Sequence, residues 1–369
     1  MRIAIIHDQL AEFGGAERVL VSIQSLFPKA PVYTTTFSRA GLGEHAAYVK
    51  DWDIRLTWFG KIPVLNRFYS PFRFLTPLIW EKLNLEEFDL IISSTGSWMC
   101  KGVIANKNAK HVSYIHHPPR YLYGYETAVE WQKNPIIKVY GLIVNHFLRM
   151  WDFTASQRPT HLVANSIETQ KRIEKFYRRD SVVIYPPVAL APKPDLSKVA
   201  TRNYYVTVSR LARAKHIDIL IQAANKEKFP LHIVGIGRDE NYLKSIAGPT
   251  VTFCGNLKDE DLRKELAGAR AFLFASVDEE FGIAPVEAMS HGVPVIAYAS
   301  GGLKETVKDG VNGYVYDELS DKKLVQSFKR LNSLTATEYE TMCRNAREES
   351  EQYSEDNFKT RFMEFVKKL

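Results

Sequence analysis

One stretch limits what this chain can fold into more than any other. Residues 276–297 read Ser-Val-Asp-Glu-Glu-Phe-Gly-Ile-Ala-Pro-Val-Glu-Ala-Met-Ser-His-Gly-Val-Pro-Val-Ile-Ala, with the apolar run Ala271-Phe272-Leu273-Phe274 before them. A second apolar run, Val293 to Tyr298, closes the stretch. Apolar run, acidic turn with a glycine, short helical pattern and apolar run make one βαβ unit, its turn at the carboxyl end of the first strand. Open α/β sheets bind ligands in the crevice at that end, and a helix amino-terminus there favours phosphate. Glu279 and Glu287 stand eight residues apart, so one can sit in the loop while the other points from the helix into the same crevice. Two carboxylates facing a phosphate would repel it. They suit sugar hydroxyls, with cations elsewhere to meet the phosphates.

The same alternation runs through the second half. Candidate strands at 204–208, 231–234, 251–254, 271–274, 293–298 and 313–316, with helical patterns between them, predict a parallel α/β domain. In the first half, strands are predicted at Arg2 to His7, Leu90 to Ile92, Gly102 to Ala105, His111 to Ile115, His161 to Ala164 and Val182 to Tyr185. Helical patterns fall at Gly14 to Phe27, about 128–157, Ser166 to Tyr177 and about 355–368. From Tyr185-Pro186-Pro187-Val188 through Pro192, Pro194 and Lys198 the chain is proline-rich and aperiodic, which reads as a linker. A length of 369 residues suits two domains, here 1–185 and 186–352, both Rossmann-like.

Composition narrows the setting. No run of 18 apolar residues occurs, and Met1 to His7 is too short and too quickly polar for a signal peptide. Cys100, Cys254 and Cys343 lack CxxC spacing, which predicts a reduced, cytoplasmic compartment. The net charge of +7 is uneven: residues 1–185 carry 23 Lys and Arg against 16 Asp and Glu, while the remainder carries 26 of each. Residues 52–82 interleave Trp52, Trp58, Phe59, Phe68, Tyr69, Phe72, Phe74 and Trp80 with Arg55, Lys61, Arg67, Arg73 and Lys82. Such a mixture suits an anionic membrane surface. Nucleic acid would use similar chemistry, but it is not the partner expected. Core aromatics with solvated cations are the plainer alternative. Asp51-Trp52-Asp53 spells DxD but follows no nucleotide-binding strand pattern, so a surface loop is expected there.

Other residues carry chemistry. Arg210 and Lys215 flank a strand-to-helix loop in Ser209-Arg210-Leu211-Ala212-Arg213-Ala214-Lys215, where both can reach an anion. A diphosphate leaving group needs that help, because negative charge develops as its bond breaks. Alone, such a pair would be ordinary surface charge; with the acidic turn in the same domain it reads as a phosphate site. Gly14-Gly15 opens a helix after the first strand but belongs to no GxGxxG, and Gly235-Ile236-Gly237 fails the same fingerprint at Glu240. His116 follows a strand and precedes His117-Pro118-Pro119, a placement that faces a crevice. Adjacent histidines point in different directions and no carboxylate stands at useful spacing, so no metal site is expected. His291, before Gly292-Val293-Pro294, is expected to serve a helix end as a cation.

Together these residues resemble the retaining glycosyltransferases of family 4, with the GT-B fold of two Rossmann-like domains facing a cleft. The likeness rests on Phe13-Gly14-Gly15-Ala16-Glu17, Tyr114-Ile115-His116-His117-Pro118, Arg210 with Lys215, Glu279-x-Phe281-Gly282-Ile283-x-x-x-Glu287-Ala288-Met289, and Gly301-Gly302-Leu303-Lys304-Glu305. Tyr121, Asn165-Ser166 and Tyr185-Pro186-Pro187-Val188 look like bacterial mannosyltransferases that build surface polysaccharides, with a departure at Tyr123-Gly124, where Trp-Asp is expected. The resemblance implies transfer from a nucleotide-diphosphate sugar, GDP-mannose favoured over UDP-sugars, with retention and with neither metal nor other cofactor. The acceptor is expected to be a lipid-linked or cell-surface glycan at the inner face of the plasma membrane. Carried over by position, Gly14 and Gly15 approach the diphosphate and acceptor side, and Arg210 and Lys215 neutralise the diphosphate. Glu287 holds the ribose and Glu279 the donor sugar, while amides around Phe281, Gly282 and Ile283 meet the sugar and phosphate. Asn256 and Leu257 lie by the base, and His116 meets a sugar hydroxyl. A last helix at about 353–369 packs back on the first domain in this fold. The alternatives are a nucleotide-sugar epimerase on the same fold and a non-catalytic glycan-binding protein.

Overall fold

A computed structural model describes every residue except 63–64, 66–69, 128–130 and 195, and the side chains of all but these and 70, 131, 197, 198 and 200. Arg67, Phe68 and Tyr69, part of the aromatic and basic stretch, therefore lie outside the described residues. The chain divides into two compact units: Met1–Tyr125, Glu130–Pro187 and Glu355–Leu369 form the first, Glu126–Val129 and Val188–Ser354 the second.

The first unit holds seven parallel strands: β1 (Ile3–His7), β2 (Val32–Thr34), β3 (Ile54–Leu56), β4 (Leu90–Thr95), β5 (Lys110–Ile115), β6 (His161–Ala164) and β7 (Val182–Val183). Their order is β3-β2-β1-β4-β5-β6-β7. The chain winds outward from β1 to β3, then returns to β4 on the other side of β1, so the topological switch point lies between β1 and β4. The register sets His7 beside Ser94 there. β1, β4 and β5 are buried on both faces; β1 and the first half of β4 read as apolar runs for that reason, while the buried polar residues of β4 and β5 bond one another, Ser93 to His111 and to Ser113. Helix Gly15–Leu26 packs Val19, Leu20 and Ile23 on one face, where Phe358 and Phe362 of the final helix Glu355–Lys367 join the same core. The Ser22 hydroxyl donates to Glu355 at 3.1 Å, joining the two helices.

Two expectations change here. The predicted strand at Gly102 to Ala105 is not formed; a 3-10 turn, Cys100–Gly102, takes its start. The amides of Gly96, Trp98 and Cys100 all donate to the buried Asp8 carboxylate at 2.8–2.9 Å, which curls the chain after β4. A Cβ on Gly102 would lie 2.5 Å from the Trp151 ring. Strands β2 and β3 were not predicted, because three residues each leave no periodicity to read. Of the aromatic stretch, Phe59 and Trp80 are core, while Arg55 is held by Asp53 and the Tyr33 hydroxyl.

A buried ion pair anchors the long helix Pro135–Ser156. Lys101 and Asp152 are paired at 1% and 0% side-chain exposure. The Tyr123 hydroxyl donates to the other Asp152 oxygen at 2.8 Å, and the Lys101 ammonium lies 4.9 Å over the Tyr177 ring. The departure from the expected Trp-Asp thus has a structural use: Tyr123 satisfies Asp152, and Gly124 ends the short helix Arg120–Tyr123 at φ +79°.

The second unit holds six parallel strands: β8 (Tyr205–Val208), β9 (Leu231–Val234), β10 (Val251–Gly255), β11 (Ala271–Phe274), β12 (Val295–Tyr298) and β13 (Gly313–Tyr316). Their order is β10-β9-β8-β11-β12-β13, so the switch point lies between β8 and β11. Apolar clusters cover both faces of this sheet, one around Leu220, Leu231 and Leu273, the other around Phe272, Met289 and Val295. Each unit is thus a doubly wound α/β domain, and the two together are a GT-B fold.

Candidate active site

The switch point of the second unit is where an open sheet of this kind binds a ligand. The loop after β8 carries Lys215, and the loop after β11 carries Ser276 and Glu279. These three converge: the Lys215 ammonium donates to Glu279 at 2.6 Å, the buried Ser276 hydroxyl donates to the same oxygen at 2.8 Å, and Lys215 Nζ lies 3.4 Å from Ser276 Oγ. Ser276 also reaches the Ala214 carbonyl at 3.4 Å, so it ties the acidic loop to the basic one. The Lys215 ammonium sits 5.6 Å over the Phe274 ring. A half-buried cation and carboxylate held this closely present fixed charge with little left to reorganise.

Both loops are braced by glycines that the dinucleotide fingerprints would have missed. Gly301 has φ +59°, and a Cβ there would lie 1.9 Å from the Glu279 carbonyl oxygen; its neighbour Gly302 donates its amide to that oxygen at 2.8 Å. Gly235, at φ +131°, would put a Cβ 2.0 Å from the Ser209 carbonyl of the basic loop. Its place beside a failed GxGxxG has a packing reason: β9 and β8 must bring their loops into backbone contact. Asp278, at φ +55°, holds the acidic turn in the left-handed region, and its amide donates to Ser300 at 2.9 Å.

The remaining predicted residues are spread along the same edge. All six strands are parallel, so the loops after β8, β10 and β11 leave the sheet on one side. Arg210 is exposed in the loop after β8, and Asn256 is exposed after β10, where Leu257 packs on the core. Phe281 is buried and meets Tyr353 edge-on at 5.1 Å, so its side chain is core and only its backbone can face a ligand. Gly282, at φ +87°, precedes helix Ile283–Ser290, which carries the half-buried Glu287. Lys215 and Glu279 are brought into contact; Ser276 is the third member, and a serine in a loop gave no sequence signal. Arg213 lies over Tyr242 at 4.8 Å instead.

The end of helix Ile283–Ser290 corrects one expectation. His291 is buried, and desolvation, with Arg202 nearby, pushes its pKa down to about 4, so it is neutral near pH 7. The cations at that helix end are arginines: Arg202 donates to the His291 and Gly292 carbonyls at 3.0 and 2.7 Å, and Arg347 to the Ser290 carbonyl at 2.8 Å.

The first unit has a polar centre at its own switch point. His7 lies between Glu17 (Nε2 to Oε1, 3.4 Å) and Ser94 (Nδ1 to Oγ, 3.1 Å), and Ser94 Oγ lies 2.8 Å from His116 Nε2. Because a carboxylate only accepts, neutral rings give the chain one direction: His7 Nε2–H to Glu17, Ser94 O–H to His7, His116 Nε2–H to Ser94. In that arrangement His116 presents Nε2–H to Ser94. The other Glu17 oxygen takes the Gly14 amide at 2.9 Å, so Gly14 and Gly15 open a helix whose first amide already has an anion. His117 turns its Nδ1 to the Pro118 carbonyl at 3.0 Å.

For metals, His232, Cys254 and Glu265 bring ligand atoms within 4.8 Å of one another. The contacts present account for that grouping: His232 bonds Glu265 at 2.5 Å and stacks on Tyr204 at 4.3 Å. Burial and Glu265 push the Cys254 thiol up.

Two parallel α/β units, with a Lys–Ser–Glu cluster at the switch point of the second, are the frame on which comparison with known proteins places a glycosyltransferase. The family model "Glycosyltransferase Family 4" matches residues 13–191, and "Glycosyl transferases group 1" matches residues 192–349. The chain belongs to glycosyltransferase family 4. It is 25% identical over 374 residues to an alpha-1,3/1,6-mannosyltransferase, alg2, of Schizosaccharomyces pombe, covering 85% of this chain and 70% of that one. It is also 25% identical over 254 residues to the GtfA subunit of a UDP-N-acetylglucosamine–peptide N-acetylglucosaminyltransferase of Streptococcus pneumoniae, covering 65% of this chain but only 48% of that one. Among solved structures, Anabaena Alr3699/HepE in complex with UDP superposes with a TM-score of 0.71 at 21% identity over the full length of both chains.

Proposed function

We propose that this chain transfers mannose from GDP-mannose to a lipid-linked or cell-surface glycan, with retention at the anomeric carbon and without a metal. The observation that carries the reading is the Lys215–Ser276–Glu279 cluster at the switch point of the second unit. Lys215, with Arg210, meets the diphosphate; Glu279, oriented by Ser276 and Lys215, accepts from donor-sugar hydroxyls; Glu287 takes the ribose hydroxyls. Gly282 and Ile283 offer backbone amides, and Asn256 and Leu257 stand for the base. With cations already placed for the leaving diphosphate, its own oxygens serve as acceptor of the proton lost in transfer, and no protein base is required. The likeness to a mannosyltransferase over 85% of the chain favours mannose. The second reading, a UDP-N-acetylglucosamine donor, is favoured by the pneumococcal relative.

A thermal-shift series decides between them. GDP-mannose at hundredfold its Kd is expected to add about 2.7 kcal/mol of stability, in EDTA as well as in magnesium. A shift with UDP-N-acetylglucosamine alone would select the second reading, and a shift abolished by EDTA would overturn the metal-free one.

His116 is the residue of the first unit that we assign to a sugar hydroxyl, with Ser94 and His7 as its positioning residues. Ser94→Ala removes the group that holds the Nε2–H tautomer. Turnover is expected to fall about tenfold, the pH–rate profile to shift, and the GDP-mannose thermal shift to stay. An unchanged pH–rate profile would leave Ser94 a packing residue.

A further inference from the structure

We propose that helix Pro135–Ser156 is the surface by which this chain lies on an anionic lipid bilayer. Its inner face is accounted for: Leu148, Asp152 and Ala155 are buried in the first unit. Its outer face, apart from the Tyr140 hydroxyl, is not. Ile136, Tyr140, Ile143, Phe147 and Met150 follow at steps of four and three, the spacing of one helical stripe, and every one of them is exposed, Ile136 to 79% and Phe147 to 61%. Val139, Leu142 and Phe153 widen the stripe on its flanks. A helix at a water-facing surface normally turns polar residues outward, and a continuous apolar stripe of about 21 Å marks an interaction site.

The charges say what it meets. Residues 131–151 contain Lys133, Lys138 and Arg149 and no Asp or Glu, and all three cations are exposed. An apolar stripe on a helix that carries Lys138 and Arg149 and no carboxylate between residues 131 and 151 is the complement of acyl chains beneath anionic headgroups. A second copy of this chain would bring the same three cations to the same face. Among the described residues no helix is long and apolar enough to cross a membrane. This one is also fixed along its length by the Lys101–Asp152 pair and by the Tyr140 hydroxyl, which donates to the Pro71 carbonyl, so it lies on the surface. That second tie places the helix against the 3-10 segment Ser70–Leu75, where Phe74 is exposed. Of the stretch 52–82, Phe74 is thus the exposed aromatic on the segment tied to this helix, while Arg73 lies over the Tyr121 ring at 4.4 Å and Arg55 is paired with Asp53.

The lipid-linked acceptor reading gives this surface its purpose, but its geometry and its test stand apart, because vesicle binding needs neither donor nor acceptor. The full-length chain is expected to float with vesicles of phosphatidylglycerol and phosphatidylethanolamine, less so at high salt, and not with phosphatidylcholine vesicles. Ile143→Glu with Phe147→Glu should lower the ratio of bound to free protein at least about tenfold, and Lys133→Glu with Lys138→Glu should weaken it as well. Both variants should keep the wild-type Tm and nucleotide-sugar thermal shift. Wild-type protein that stays with the soluble fraction, or an Ile143→Glu, Phe147→Glu variant that floats as well as wild type, overturns the proposal. A dimer that this variant converts to monomer, without vesicle binding in either, assigns the stripe to a second copy and overturns it too. Vesicle binding without any nucleotide-sugar shift would instead refute the transferase reading and leave the docking surface standing.

Discussion

Lys215→Ala and Glu279→Ala are each expected to lower kcat about 10²–10³-fold, the range seen when one preorganised electrostatic contact is removed from an active site. Removing Lys215 has two effects. The developing diphosphate loses a cation, and the Glu279 carboxylate, 2.6 Å away in the intact protein, is left without it. Removing Glu279 loses the acceptor for a sugar hydroxyl and lets Lys215 move. Because the two groups touch, the double variant should be little worse than either single one. Glu279→Gln keeps the shape and the Ser276 contact but not the charge, so it should fall between wild type and Glu279→Ala. Steady-state kinetics with the donor identified by thermal shift measures all four. Both groups are partly exposed and outside the apolar clusters, so Tm should hold. Near-normal turnover in both single variants would remove the cluster from the mechanism.

Asp152→Ala should destabilise the first unit by about 3–5 kcal/mol, because it strands the Lys101 ammonium in a site with almost no solvent. That is a large part of the 5–15 kcal/mol typical of a domain. The Tyr123 hydroxyl loses its acceptor in the same variant. Lys101→Met combined with Asp152→Leu should recover most of the loss, since removing both charges leaves nothing uncompensated. All six tryptophans, Trp52, Trp58, Trp80, Trp98, Trp131 and Trp151, lie in segments of the first unit, so denaturation followed by tryptophan fluorescence reports on that unit. A cost below about 1 kcal/mol for Asp152→Ala would mean that water reaches the pair.

Much of the architecture was legible because buried parallel strands are apolar on both faces. The runs at 231–234, 271–274 and 313–316 are strands at those residues, and the acidic turn stands at the carboxyl end of 271–274 as the pattern predicts; that this strand borders the switch point comes from the sheet order. Pattern failed where strands are too short to repeat, as in Val32–Thr34 and Ile54–Leu56, and where a side chain far away bends the backbone, as Asp8 does after β4. The site divides in the same way. Lys215 and Glu279 carry charge at loop positions that βαβ logic picks out, whereas Ser276, Gly235 and the His7–Ser94 support for His116 have meaning only through contacts across the sheet.

The long helix marks the boundary most clearly. Local pattern fixes residue types and their spacing, so the sequence already contained a helix near 128–157, two doubly wound sheets and the charged loops of a family 4 glycosyltransferase. Which face of that helix is covered depends on what packs against it. A buried Asp152 and an exposed Phe147 differ by five positions on one helix, and only the placement of Lys101, Tyr123 and the core beneath decides that the carboxylate goes inward while the aromatic ring meets the surroundings. In the same way, the charges at 215 and 279 come from the sequence, and their 2.6 Å contact comes from β8 pairing with β11 across more than sixty residues of chain.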